Sequence, residues 1–317
     1  MRRLNWNVLR LSAMNDLHSA MFWSSVENNT VDCALCPHNC KIPENSAGFC
    51  GIRENIGGKL YAVNYGKISS IALDPVEKKP LYMFHSGKRV LSIGGFGCNF
   101  RCPFCQNCEI SMEYEKYERA GQGTEYRKYQ EYYSPEYIAA LAEKTMHDGN
   151  IGVAYTYNEP FIGYEFLYDC AKLVRGAGLF NIVITNGFIN PEPLGMILPF
   201  IDAMNIDLKS FSDGFYKKLG GGLSGLGTVK KTIELSHKRC HVEITTLIIP
   251  GENDSEDEVT KLAQWIAFLN PEIPLHLTRF FPRYKYSGRS PTPQETIYTL
   301  GRIAKKHLKN VFTGNMG

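Results

Sequence analysis

Residues 98–108 read CNFRCPFCQNC, four cysteines in eleven residues. Cys98, Cys102 and Cys105 stand at CxxxCxxC, and Cys108 follows three residues later. A second group, Cys33, Cys36, Cys40 and Cys50, lies upstream, and the two groups hold eight of the chain's ten cysteines. Thiolates are soft ligands suited to zinc and to iron–sulfur clusters. Such grouping in a chain that starts without a signal peptide favours metal over disulfides. Three thiols are one short of a structural zinc site, and one short of a [4Fe–4S] cluster capped at every iron. The loop therefore either recruits a further ligand, Cys108 in a zinc knuckle, or leaves one iron open to a small molecule. The four upstream cysteines form a complete set whose spacing suits either zinc or a second iron–sulfur cluster, with Pro37, His38 and Gly48 supplying turns or outer contacts. Cys170 and Cys240 stand alone in apolar surroundings and read as small buried hydrophobes.

The elements that must position these thiols follow from hydrophobic periodicity. From Arg89 onward, compact apolar runs at 89–96, 151–157, 180–185, 201–208, 241–249 and 273–280 alternate with helical patterns. One helix opens at Ser134 with Pro135 in its first position; others cover 161–178 and 225–238, start at Asp254 or Ser255, and cover 293–308. Repeated β-then-α units imply an α/β fold with a parallel sheet. Six units fall short of the eight of a closed barrel, so a partial (βα)6 TIM-like barrel is expected, with polar residues at the strand carboxyl ends as the candidate site. Residues 1–88 differ: they carry the upstream cysteines and then KLYAVNYGKISSIALDPVEKKPLYMF, whose short alternating runs predict a small hairpin or meander. The expected division is a Cys-rich region over 1–88 and a barrel over 89–317.

Composition narrows the function classes. The chain has 317 residues, 44% of them apolar and 21% charged, which suits a globular protein with a substantial core. Lys and Arg outnumber Asp and Glu by only 35 to 32, too weak a balance to argue for nucleic acid or a membrane surface. No apolar run approaches the roughly 20 residues of a membrane helix. The opening MRRLNWNVLRLSAMNDLHS has no continuous apolar segment and reads as an amphipathic lead-in to a cytoplasmic protein.

GCNFRCPFCQN, directly after the first predicted barrel strand, resembles the radical S-adenosylmethionine (radical SAM) signature CxxxCxΦC, with Phe104 as the aromatic Φ. The resemblance implies that Cys98, Cys102 and Cys105 hold a [4Fe–4S] cluster whose open iron chelates the methionyl amino and carboxylate groups of SAM, with Phe104 near the adenine. It also implies oxygen-sensitive chemistry in which one electron cleaves SAM to a 5′-deoxyadenosyl radical. Further motifs occur in order: CALCPHNC, GFCGIREN, DPVEKKPLYMF, TYNEP, TNG, IDLKSF, IPGEND and HLTRFFP. As a set they are similar to the pyruvate formate-lyase-activating-enzyme-like group called the AmmeMemoRadiSam radical SAM proteins. TYNEP stands where the superfamily often carries GGEP, which implies SAM contacts from Tyr157, Asn158 and Glu159. Thr185 and Asn186, then Asp207 and Lys209, end the next two strands and join the implied SAM site; a plain ion pair is the other reading of Asp207 and Lys209. One departure is Ile184, where the activating enzymes place an Asp before TNG, so a cation site built from paired aspartates is not expected.

Arg279 and His276 lie three apart on one strand and face opposite sides of it. Arg279 is expected to face inward, its planar fork suited to the SAM carboxylate or a substrate acid. Arg283 and Lys285 read as a solvated basic rim or as substrate contacts. Cys108 falls outside the motif and is not expected to bind the cluster. The implied partners are a one-electron donor such as flavodoxin or ferredoxin, and a protein substrate whose glycine loses a hydrogen; neither nucleic acid nor membrane is expected. Radical modification of a small metabolite or another residue is the alternative. A zinc-bearing, non-catalytic interaction protein is the competing reading from a different class.

Overall fold

The computed structural model describes residues 17–112 and 131–317; the lead-in expected at the start of the chain lies, up to residue 16, outside the described residues. Three short strands, β1 (Trp23–Ser25), β2 (Val31–Cys33) and β3 (Lys41–Ile42), form an antiparallel sheet, and β4 (Arg53–Ile56) pairs with β5 (Lys59–Ala62) as a hairpin. The large sheet follows. Strand β6 (Ser70–Pro75) runs antiparallel to β7 (Arg89–Gly94). From β7 the ladder is parallel through β8 (Asn150–Tyr155), β9 (Phe180–Thr185), β10 (Ala203–Asp207), β11 (His241–Ile248), β12 (Leu275–Arg279) and β13 (Val311–Gly314). Strands β7 to β12 are the six expected from periodicity. β6 and β13, which the sequence reading did not assign to this sheet, extend its two edges, and these are not paired to each other.

The helices begin where local chemistry dictates. Ser134 accepts a hydrogen bond from Tyr137 N at 3.2 Å and opens the helix Pro135–Lys144. Ser255 does the same for Glu256–Leu269, whose first turn carries Glu256, Asp257 and Glu258, favoured by the helix dipole. The helices Tyr164–Gly176, Leu226–Ser236 and Gln294–Ala304 match the expected patterns. Two seven-residue helices, Pro191–Ile197 and Asp213–Leu219, were not foreseen, because two turns are too short to display a clear period.

Each strand presents alternate residues to two faces. Leu91, Val153, Val183, Ile206, Ile244 and Leu277 join the main core beneath the helices. The other face, concave and inward, carries a separate cluster in which Val90, Ala154, Ile182 and Ala203 pack on Val76 and Leu81. Those last two belong to DPVEKKPLYMF, so this motif crosses the floor of the open barrel at the strands' amino ends. Asn205 Nδ2 donates to Pro80 O at 2.8 Å. Tyr82 N and Met83 N donate to the two oxygens of Glu243 at 3.0 and 2.7 Å. The Tyr82 ring packs edge-on against His276 and near Phe312 of β13.

Glu243 is fully buried. His276 Nε2 lies 2.6 Å from Oε2 and His241 Nε2 2.9 Å from Oε1. Burial alone would raise its pKa, but the two imidazoles and two backbone N–H groups outweigh that and hold it down at about 2. A depressed carboxyl pKa stabilises the fold above the unfolded value near 4.5, and that stabilisation is lost as pH falls toward 2. Glu243→Gln should therefore flatten the acid limb of stability between about pH 5 and 2, removing up to about 3 kcal/mol of pH dependence, while lowering stability at neutral pH. Chemical denaturation at stepped pH measures both.

Candidate active site

The chain leaves β7 through Gly95, Phe96 and Gly97, the last with φ of +82°, and reaches Cys98 above the strand carboxyl ends. Local bonds shape the cysteine loop: Arg101 Nη1 donates to Cys98 O at 2.7 Å, Cys105 N to Cys102 O at 3.1 Å, and Phe100 N to Cys98 Sγ at 3.4 Å. The base of the loop is tied to the end of β8. Asn158 Oδ1 accepts from Gly95 N at 2.9 Å, while its Nδ2 donates to Phe96 O at 3.2 Å and Gly97 O at 3.1 Å. A second tie runs to the end of β9. Asn186 Nδ2 donates to Asn99 Oδ1 at 2.8 Å and lies 3.8 Å from Cys98 Sγ, and Asn99 Nδ2 donates to Phe188 O at 2.7 Å. Asn99 was missed in the sequence, where nothing separates it from the other loop positions between the cysteines.

Glu159 is buried at the meeting of these ties. It accepts from Phe161 N at 3.0 Å, Thr185 Oγ1 at 2.8 Å and Asn186 N at 2.8 Å. Burial raises its pKa to about 7 despite the three donors. Asp207 and Lys209 stand at the end of β10, joined at 2.7 Å. Burial works against the Lys209 ammonium, but Asp207 and the Cys102 sulfur hold its pKa above the ordinary value.

The thiols belong to this same charged group. Cys102 is buried, and Cys98 and Cys105 are half-buried. Burial pushes Cys102 up to about 12 against the pull of Lys209. Burial also raises Cys98, with Cys102 and Glu159 adding to it, and raises Cys105. Burial of this kind keeps the thiols protonated while no cation is bound.

Several expected residues face elsewhere. The Tyr157 hydroxyl donates to Asp74 Oδ2 at 2.8 Å, and the Lys79 ammonium lies 4.5 Å from its ring centre, so this side chain, at φ of +70°, turns to the inner face of the sheet. Asp74 and Lys79, from the floor motif, pair at 2.8 Å and were not foreseen as neighbours of TYNEP. Phe104 is buried near Phe215 and Tyr286. The expected orientation of β12 is reversed. His276 stands beside Thr245 on the inner face and bonds Glu243, whereas Arg279 stands beside Ile248 in the outer row. The Arg279 guanidinium donates to Thr292 O and stacks over Phe281. The strand alternates as anticipated, but its register against β11 selects histidine for the interior. Arg283 pairs with Glu109 at an exposed rim.

Upstream, Cys33, Cys36, Cys40 and Cys50 line one cavity with His38 and Arg53. Among the described residues, no three His, Cys, Asp or Glu side chains gather at the spacing of a single-ion site, in this group or around Cys98. No helix among them is long and apolar enough to cross a membrane. Removing the Glu159 carboxylate strands three buried donors at once. Glu159→Ala should destabilise the protein by about 2–4 kcal/mol, read as a lower melting temperature.

A family model described as the radical SAM superfamily matches residues 92–263. An uncharacterized protein of Methanocaldococcus jannaschii is 42% identical over 303 residues, covering 95% of this chain and 86% of that protein. A putative glycyl-radical enzyme activating enzyme of the same organism is 25% identical over 225 residues, covering 68% of this chain and 77% of its own. The pyruvate formate-lyase 1-activating enzyme of Escherichia coli K12 is 21% identical over 229 residues, covering 67% and 86%. The matched segment begins in β7 and contains the cysteine loop and the ends of β8 to β11. The chain belongs to the radical SAM superfamily, and is an enzyme of the type that works with a [4Fe–4S] cluster and S-adenosylmethionine.

Proposed function

We propose that Cys98, Cys102 and Cys105 hold the [4Fe–4S] cluster, and that the enzyme abstracts a hydrogen atom from a glycine of a partner protein. Bound there, cluster and SAM would supply one-electron cleavage of a SAM C–S bond and, with it, the capacity to take hydrogen from an unactivated C–H bond. The observation that carries the reading is the convergence of three thiols, one buried and two half-buried, with Glu159, Asn186 and the Asp207–Lys209 pair at one end of the sheet. The donor set fits: three thiols leave one coordination position for a small molecule.

The chain's own residues do the positioning. Asn158 and Asn99 fix the loop from below and from the side. Glu159 presents buried carboxylate oxygens suited to an ammonium group, and Lys209 a charge suited to a carboxylate, the two ends of an amino acid such as the methionyl part of SAM. Thr185 orients Glu159 through its hydroxyl. The role for Phe104 is a buried apolar wall near the adenine, and for Tyr157 and Arg279 it is support of neighbouring chain rather than SAM contact. The floor motif closes the amino ends of the strands, so substrate reaches the inner face from the carboxyl end or the open edge.

The choice of a protein glycine rests on similarity to glycyl-radical activating enzymes; a small metabolite is the other outcome. The electron would come from a flavodoxin- or ferredoxin-type donor. Anaerobically reconstituted enzyme, reduced with dithionite in the presence of SAM, should release 5′-deoxyadenosine. Cys105→Ala should lose that product and the cluster's iron. Cys108→Ala should keep both, because Cys108 starts the short helix Cys108–Ser111 on the far side of the loop's last ligand. Loss of iron from Cys108→Ala alone would refute the assignment. Deuterium passing into 5′-deoxyadenosine from a Cα-labelled glycine protein, and not from a metabolite extract, identifies the substrate class.

A further inference from the structure

The upstream cysteines are a group of metal-ligating side chains with no part in the chemistry above. Cys33 ends β2, Cys36 and Cys40 lie in the turn that leads to β3, and Cys50 precedes β4. Two small sheets thus bring four free thiols to the wall of one cavity. Phe49 N donates to Cys40 Sγ at 3.5 Å, a backbone N–H aimed at sulfur. Arg53 adds an independent sign of a ligand. Its guanidinium is buried, with Nη1 on Glu165 Oε1 at 3.0 Å and Nη2 on Met21 O, yet its Nε has no partner among the described residues. Buried polar groups are seldom left unpaired. This one belongs to a side chain on the wall of the thiol cavity, where an anionic, sulfur-rich centre would accept its hydrogen bond.

The absence of a single-ion group among these thiols favours iron–sulfur over zinc. Four thiolates about 2.3 Å from one zinc ion stand within about 4 Å of each other. No three of these thiols are gathered at single-ion spacing, and neither are Cys98, Cys102 and Cys105, which match the cluster signature of the chain's family. Like that set, the upstream thiols form no single-ion group, and they number one more. We propose that Cys33, Cys36, Cys40 and Cys50 hold a second [4Fe–4S] cluster, capped by thiolate at every iron and so closed to SAM.

The two cysteine loops interlock. A Cβ at Gly97 would lie 2.7 Å from Cys50 O. His38 Nε2 is 2.8 Å from Asn99 O, and Arg101 donates to Phe49 O while its guanidinium lies 4.4 Å from the Phe49 ring centre. Residues between the ligands of one loop are therefore bonded to residues between the ligands of the other, and a cluster in the upstream site braces the loop that carries the first.

The test is the full chain with Cys98→Ala, Cys102→Ala and Cys105→Ala together, reconstituted anaerobically with ferrous iron and sulfide. It should keep about four irons and four sulfides and, once reduced, show the EPR signal of a one-electron-reduced cubane; the unaltered chain should hold about eight irons. Cys36→Ala with Cys50→Ala should drop that count to about four. One zinc per chain with iron near zero in the triple variant overturns the proposal, as does a variant with unchanged melting temperature and no metal. Should the triple variant fail to fold, the iron count of the unaltered chain decides, about eight for the proposal and about four against it. Failure of the radical reading would show separately, as no 5′-deoxyadenosine from protein that still carries its iron.

Discussion

A single buried carboxylate, Glu243, holds together the floor on which the open barrel rests. A sheet that does not close leaves its inner face exposed at both ends, and eight strands of backbone cannot cover that face by themselves. The chain covers the lower end with its own segment from Val76 to Met83, and Glu243 secures it by accepting two backbone N–H groups there and two imidazoles from β11 and β12. A buried charge with all its partners in place is stable, whereas the same charge with one partner removed is costly. The floor, β11 and β12 are thereby coupled, and the strand carboxyl ends are left as the place for chemistry.

At that upper end the same logic is repeated with neutral groups. Asn158, Asn99 and Asn186 spend their amides on backbone carbonyls and on each other, and Glu159 gathers donors from the ends of β8 and β9. A loop that must hold thiols in a fixed geometry cannot rely on a regular ladder for its hydrogen bonds, so side-chain amides take that role. Burial keeps the thiols protonated, and Lys209 stands by to favour the thiolate. The upstream loop completes the support from the side, through Cys50, Phe49 and His38.

Much of this is legible in the sequence of the chain alone. The six inner strands show as compact apolar runs of β-branched residues, and the caps at Ser134 and Ser255 announce their helices, because these signals are local. The cysteine spacing likewise marked the metal-ligating loops, and the resemblance of the ordered motifs pointed to the family and its chemistry. DPVEKKPLYMF was visible as a motif but not as a floor. β13, four residues long, becomes a strand only through its pairing with β12. Tyr157 was placed with SAM by its position in TYNEP, but its positive φ turns it toward Asp74 and Lys79, partners more than seventy residues upstream.

The sequence by itself determined which residues can bind metal, how far apart they stand along the chain, and that a partial barrel would present them. All three rest on short-range patterns: residue type and ligand spacing within a loop, and hydrophobic period within an element. Only the tertiary structure decided which face of each strand looks inward, as the exchange of Arg279 for His276 illustrates. A strand's alternation is intrinsic, but its phase is set by register against the neighbouring strand, and one residue of slip exchanges the two faces. The contact between the two cysteine loops is also tertiary, since Gly97 and Cys50 meet only after two separate sheets have formed.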